Sequence, residues 1–192
     1  MPTSPPIVFD DGGDTWFFAY GSLMWDPCFP FAERQSALLR GFHRSFCVRS
    51  LSYRGSAEAP GLVLGLDRGG ACRGRAFRIA PGDREIAAKA ITEREMDRDI
   101  YVCRKLPVRV PTGRVLAHAL AANRSSELYL GRLPASDVAR RIARAHGKRG
   151  ANLAYLADTV AHLDALGIKD GPMHALLRTA TGLARDGGVA GV

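Results

Sequence analysis

No stretch of this sequence holds the roughly 18 consecutive apolar residues that a membrane-crossing helix needs, so no such helix is expected. Met1–Pro6 has neither the basic region nor the apolar stretch of a secretory signal. The expectation is a cytoplasmic protein without a membrane partner. Cysteine is scarce: Cys28, Cys47, Cys72 and Cys103 form no C-x-x-C pair, and none has a histidine at metal-ligand spacing. Cys47 and Cys72 fall in apolar, strand-like runs, where a free cysteine behaves as a small buried hydrophobe. Reduced structural thiols are expected, rather than a disulfide framework or a zinc site.

Several catalytic motifs are missing as well. There is no G-x-x-x-x-G-K-[ST] to cradle phosphates, no G-x-G-x-x-G, no G-x-S-x-G and no H-E-x-x-H. His43, His118, His146, His162 and His174 are scattered, with no pair at i, i+4. These gaps imply a site with no cofactor and no metal, built from carboxylates, backbone donors and hydroxyls.

What is present starts with charge. Twenty-seven Lys and Arg against 19 Asp and Glu give a net charge of +8. The basic residues cluster at Arg73-Arg75-Arg78, Arg104-Lys105 and Arg140-Arg141-Arg144-Lys148-Arg149. A nucleic-acid reader would set stacking aromatics beside such charge or carry a reading module, and neither is found. Arg140, Arg141 and Arg144 fall on the polar side of a helix and read as a solvated face. The same field draws a small acidic substrate. A small molecule is therefore the expected partner, with no nucleic acid, and the chain is expected to be a monomer or weak homodimer.

At 192 residues and 46% hydrophobic, the chain suits one domain with a substantial core. Strand signals dominate from Trp16 to about Ala122: Trp16–Tyr20, Ala37–Arg49, Gly61–Leu66, Cys72–Ile79, Tyr101–Val110 and Gly113–Ala121. Pro111-Thr112-Gly113 reads as a hairpin turn. Gly61, Gly65 and Gly74 suggest close backbone approach or strong curvature, as in a small closed barrel. One helix interrupts the strands, starting at Pro81-Gly82-Asp83 and running to about Met96. After Asn123 the period is helical: Val138, Ile142 and Ala145 form one stripe, and Leu153, Leu156, Val160 and Leu163 another. A third helix spans Asp170 to about Leu183. The class is α+β, a small mostly antiparallel β-barrel with an inserted helix and a C-terminal helical layer. Residues 1–15 are expected to be a flexible segment and 16–184 a single domain, with the barrel at about 16–122 and the helical part at about 133–184. Residues 185–192 read as a flexible tail.

Two features carry candidate chemistry. Tyr20-Gly21-Ser22-Leu23 follows Trp16-Phe17-Phe18-Ala19, so a buried strand breaks at once into a Gly-Ser loop. It is either an ordinary turn or a place where a ligand meets backbone N–H groups and the Ser22 hydroxyl. Glu95 lies near the end of the inserted helix, six residues before Tyr101 opens the next strand. It is either one carboxylate of a solvated helix end or a partly desolvated general acid–base.

Tyr20-Gly21-Ser22-Leu23-Met24-Trp25 resembles the Y-G-S-L-x-W signature of the ChaC-type gamma-glutamylcyclotransferases. Arg49-Ser50, Arg54-Gly55-Ser56 and Pro60–Leu66 resemble the family's next segment, and Cys72-Arg73-Gly74 follows in order. Arg94-Glu95-Met96 with Tyr101 is similar to its catalytic element, and Gly150–Leu156 to the start of its C-terminal helical segment. The resemblance spans roughly Trp16 to Leu177. It implies the gamma-glutamylcyclotransferase-like fold and a cofactor-free enzyme, most simply one that cleaves glutathione to 5-oxoproline and cysteinylglycine. Glu95 would be the catalytic base and acid. Tyr20, Gly21, Ser22, Leu23, Tyr101 and Arg49 would bind substrate. Two stretches depart from the pattern. Met96–Ile100 replaces a segment that usually carries glycine near Asp99, and Ser50–Tyr53 stands where relatives often have Thr, Asp and His. These departures bear on substrate preference, so another gamma-glutamyl amine or dipeptide stays open. A non-catalytic binding protein of the same fold is the other alternative, and the presence of Glu95 argues against it.

Overall fold

In the computed structural model, which describes residues 5–10, 12–96 and 98–189, the aromatic run before Tyr20 forms a strand, β1 (Thr15–Ala19). Then come β2 (Glu33–Ser50), β3 (Gly61–Ile79), α1 (Arg84–Glu95), β4 (Tyr101–Val110) and β5 (Gly113–Ala122). After these are α2 (Ala135–Arg144), two short strands β6 (His146–Gly147) and β7 (Gly150–Ala151), α3 (Asn152–Ala165) and α4 (Gly171–Val189). Of the end segments read as flexible, residues 1–4, 11 and 190–192 lie outside the described residues.

The expected barrel is present, with strand order β1-β3-β2-β4-β5. β1 runs antiparallel to β3, Phe17 opposite Phe77, and parallel to β5, Phe18 opposite Ala119. The parallel pairing closes the ring, so the barrel is mixed. β4 and β5 form the expected hairpin, from Tyr101 opposite Ala122 to Val110 opposite Gly113. The sequence suggested separate strands at Gly61–Leu66 and Cys72–Ile79, whereas β3 is continuous. Asp67–Ala71 is polar and glycine-rich, which interrupts the alternation. The backbone continues because Gly69 and Gly70 take φ of +101° and +66°, open to glycine at little cost.

The chain divides into two compact units, Met1–Ser45 with Gly65–Ser126, and Phe46–Leu64 with Glu127–Val192. In the first, Phe17, Phe18 and Phe77 are fully buried. Phe29 meets Phe17 and Phe77 edge-on, each at 5.5 Å between ring centroids. Gly74 on β3 permits a close approach: a Cβ there would lie 2.2 Å from the Ala19 carbonyl, at the end of β1. In the second unit, Ile142 of α2 and Leu156 and Leu163 of α3 are fully buried, as their helical spacing implies. The Gly147–Gly150 break closes into a ladder, with His146 opposite Ala151. Asn152 opens α3 with no exposure, and its amide forms two bonds to Leu62 of β3.

Candidate active site

The loop after β1 is fixed from behind by a buried charge. Arg44 on β2 is only 5% exposed; its Nε donates to the Tyr20 carbonyl at 2.6 Å and its Nη2 to the Arg73 carbonyl at 2.8 Å. Gly21 has φ of −126°, so the left-handed freedom of glycine is not used there. A single 3-10 turn follows over Ser22–Met24, closed by Met24 N–H to the Gly21 carbonyl and Asp26 N–H to the Ser22 carbonyl, each at 2.9 Å. Leu23 and Met24 are buried and anchor the turn. The N–H groups of Ser22 and Leu23 have no acceptor among the described residues.

The end of α1 meets this loop through one guanidinium. Arg94 Nη2 donates to the Ser22 hydroxyl at 3.2 Å. Its Nη1 donates to the Asp26 carbonyl at 2.9 Å and carboxylate at 3.0 Å. Its Nε lies 3.3 Å from Glu95 Oε1. All three guanidinium nitrogens are thus engaged, a use of the planar fork that a lysine could not reproduce. The Glu95 side chain is one-fifth exposed (20%), within reach of a ligand yet largely withdrawn from water. Cys28 lies in the same field: burial raises its thiol pKa, Arg94 opposes that rise and Glu95 adds to it. The thiol is therefore held in its protonated, weakly nucleophilic form.

Ser22 and Glu95 are brought together on Arg94, with Tyr20, Gly21 and Leu23 in the same loop. Tyr101 is buried at the start of β4 in the same unit. The link between α1 and β4 is tied down by Asn123, whose N–H donates to the Ile100 carbonyl and whose Nδ2 donates to Asp99 Oδ1, each at 2.8 Å. Arg49 belongs to the second unit, where its N–H donates to the Leu128 carbonyl at 2.8 Å. Its Nε is buried with no partner among the described residues. Sequence reasoning missed Arg44 and the role of Arg94. The only signals were a charge inside an apolar strand and an arginine beside the glutamate. No group of three or more His, Cys, Asp or Glu among the described residues is placed to hold a metal ion. None of the four cysteines is in a disulfide, and Cys47 and Cys72 are buried as expected. Among the described residues, no helix is long and apolar enough to cross a membrane.

The closed mixed barrel with its inserted helix and the helices that follow has the gamma-glutamylcyclotransferase fold. A solved yeast structure described as a gamma-glutamyl cyclotransferase specific to glutathione matches with a TM-score of 0.79. It covers 90% of this chain and 97% of its own at 21% identity, which establishes the fold. The chain belongs to the ChaC-like protein family, whose sequence model matches residues 15–182. The glutathione-specific gamma-glutamylcyclotransferase of Escherichia coli K12 is 34% identical over 168 residues, covering 87% of this chain and 73% of that protein. The glutathione-specific gamma-glutamylcyclotransferase 1 of Mus musculus is 32% identical over 162 residues, covering 81% of this chain and 73% of its own.

Proposed function

We propose that this protein is a gamma-glutamylcyclotransferase that cleaves glutathione into 5-oxoproline and cysteinylglycine, with Glu95 as its proton carrier. The observation that carries the reading is the placement of Glu95 beside the Gly-Ser loop, through Arg94. The names of the relatives supply the substrate class. The substrate's own α-amine is the nucleophile, but as an ammonium it has no lone pair. Glu95 removes that proton, nitrogen attacks the γ-carbonyl, and a five-membered lactam closes. The tetrahedral oxyanion forms against the N–H groups of Ser22 and Leu23, which have no acceptor among the described residues. Glu95 then passes its proton to the departing amide nitrogen, and the second proton, shed by the attacking nitrogen as it becomes the lactam N–H, also ends on the released amine, so one carboxyl serves as base and then acid. Holding the amine against the carbonyl replaces a floppy chain by a near-attack geometry, worth roughly 7 kcal/mol or more. Neither a cofactor nor a metal enters this sequence. Tyr101 completes the substrate contacts within this unit, and the enzyme works in the cytoplasm as a monomer or weak homodimer.

Purified protein incubated with glutathione, a gamma-glutamyl dipeptide and a gamma-glutamylamine, each assayed for 5-oxoproline, tests the reading. Glutathione should turn over fastest, and at the same rate in chelator. No 5-oxoproline from any of the three would defeat the proposal. Preference for another amide would point to the departures at Ser50–Tyr53 and Met96–Ile100.

Two variants probe the loop. Gly21→Val puts a branched side chain where substrate should meet the backbone, and is expected to depress kcat/KM far more than Tm. Ser22→Ala removes one hydroxyl, a loss of about 0.5–1.5 kcal/mol, and should act mildly. A folded Gly21→Val protein with unchanged kcat/KM would remove the loop from the site. Arg94→Met keeps an unbranched apolar stem but none of the three donor nitrogens. It is expected to lower kcat/KM roughly 10- to 100-fold, about 1.4–2.7 kcal/mol of barrier, with Arg94→Lys restoring only part. Steady-state kinetics on the two variants decide it.

A further inference from the structure

α1 carries Glu95 at its last position, and apart from the bonds of Arg94 to Ser22 and Asp26 its own grip on the barrel unit is slight. Of its twelve residues only Ala87, Ala88 and Ile91 are buried, and Asp83 at its N-cap makes no side-chain capping bond. Two alanines remove little apolar area from water, so Ile91 is the main hydrophobic anchor. Arg94 pins only the C-terminal end, so the rest of the helix needs a further hold along its axis.

The N-terminal segment supplies it at both ends. The Ile7 N–H donates to Thr92 Oγ1 at 3.0 Å, one turn before Glu95. Thr92 Oγ1 in turn donates to the Ala88 carbonyl at 2.7 Å. At the opposite end, Arg84, the first residue of α1, donates from Nη2 to the Gly13 carbonyl. The segment thus runs antiparallel to the helix, touching its last turn first and its first residue later. Its other side rests on the β4–β5 hairpin. Phe9 is 8% exposed and meets His118 edge-on at 4.8 Å. Asp10 lies 3.7 Å from Lys105. Lys105 and His118 are opposed across those two strands, so Phe9 and Asp10 straddle a single cross-strand pair. Ile7 is likewise buried, at 6% exposure. Between Pro6–Phe9 and α1 a cleft of about 510 Å³ remains, so the hold consists of discrete points rather than a continuous packed face. The family match begins only at residue 15, beyond all of these contacts.

We propose that this N-terminal segment is a strap joining the barrel face to α1, and that Ile7 and Phe9 are positioning residues that set the placement of Glu95 for the reaction. The inference rests on the cyclotransferase reading for its kinetic consequence, while its structural half stands separately. A carboxylate at a helix terminus moves with any axial slip of the helix, and proton transfer requires hydrogen-bond reach of the amine. Loosening the strap should therefore lower kcat while leaving KM nearly unchanged.

The test compares the pair Ile7→Ala/Phe9→Ala with the conservative pair Ile7→Val/Phe9→Leu, each well below its own Tm. The alanine pair is expected to lower kcat about tenfold with KM within twofold, and to speed hydrogen exchange of the Thr92–Met96 amides about tenfold. The conservative pair should restore both. If the alanine pair does not fold, Thr92→Val removes the acceptor for the Ile7 N–H and should lower kcat about threefold in the same manner. A folded alanine pair, or in its place Thr92→Val, whose kcat or amide exchange at α1 matches the parent overturns the proposal, even where Tm falls. If the parent protein turns over no gamma-glutamyl compound, the cyclotransferase reading fails. The exchange measurement alone then decides whether the strap holds α1.

Discussion

Glu95→Gln is expected to abolish 5-oxoproline release while leaving the protein folded and able to bind substrate. The amide is nearly isosteric with the carboxylate, and its oxygen can still accept from Arg94 Nε, 3.3 Å from Glu95 Oε1 in the parent. What it loses is the ability to take up and return a proton. General acid–base catalysis typically contributes 10²- to 10⁴-fold, and here one group performs both transfers, so a loss of about 3–5 kcal/mol or more is expected. Rate assays should be run beside calorimetric titration with substrate and a thermal melt. Activity within about tenfold of the parent would show that another group moves the proton.

Asn152→Ala should produce the largest loss of stability from a single side chain. Asn152 has no exposure; its Oδ1 accepts from the Leu62 N–H at 2.7 Å and its Nδ2 donates to the Leu62 carbonyl at 2.8 Å. The amide thus satisfies both backbone groups of a buried strand residue, as a neighbouring strand would. Truncation leaves a donor and an acceptor without partners, at about 1–3 kcal/mol each. The sum of about 2–6 kcal/mol corresponds to a fall in Tm of roughly 4–24 °C for a chain of this size. Asn152→Asp keeps the acceptor but turns a charged oxygen toward the Leu62 carbonyl, and should be at least as damaging. A melt displaced by less than 2 °C would show that this bond pair does not hold α3 to β3.

The contrast between these positions shows what could be read in advance. The loop Tyr20–Leu23 and the helix ending at Glu95 were visible, because each sits at a change of pattern: a strand breaking into Gly-Ser, and a helix followed by a strand. The β4–β5 hairpin was visible for the same reason, through Pro111-Thr112-Gly113. Arg94 and Arg44 were not legible in their roles. An arginine near a helix end or inside a strand reads as solvated charge until its acceptors are known, and Ser22 lies 72 positions from Arg94. Asn152 was similarly opaque, since its partner Leu62 is 90 positions away. The continuity of β3 was hidden by Asp67–Ala71, where alternation fails although the backbone does not. Residues 5–10 are too few for any period, so the burial of Ile7 and Phe9 had no signal in the sequence.

The parallel pairing of β1 with β5 also governs the order in which this barrel can be made. Trp16 lies opposite Ala117, roughly a hundred residues further along the chain. On the ribosome, β1 emerges early and waits through the synthesis of β2, β3, α1 and β4 before its parallel neighbour exists. The β4–β5 hairpin needs only a two-residue turn and carries almost no loop-closure entropy, whereas joining β1 to β5 means closing a very long loop. Until then the aromatic strand Trp16–Ala19 has an unfilled edge, of the kind that invites association with other chains. Because Tyr20 follows directly on β1, a nascent chain cannot complete the frame of its Gly-Ser loop before residue 119 has left the exit tunnel.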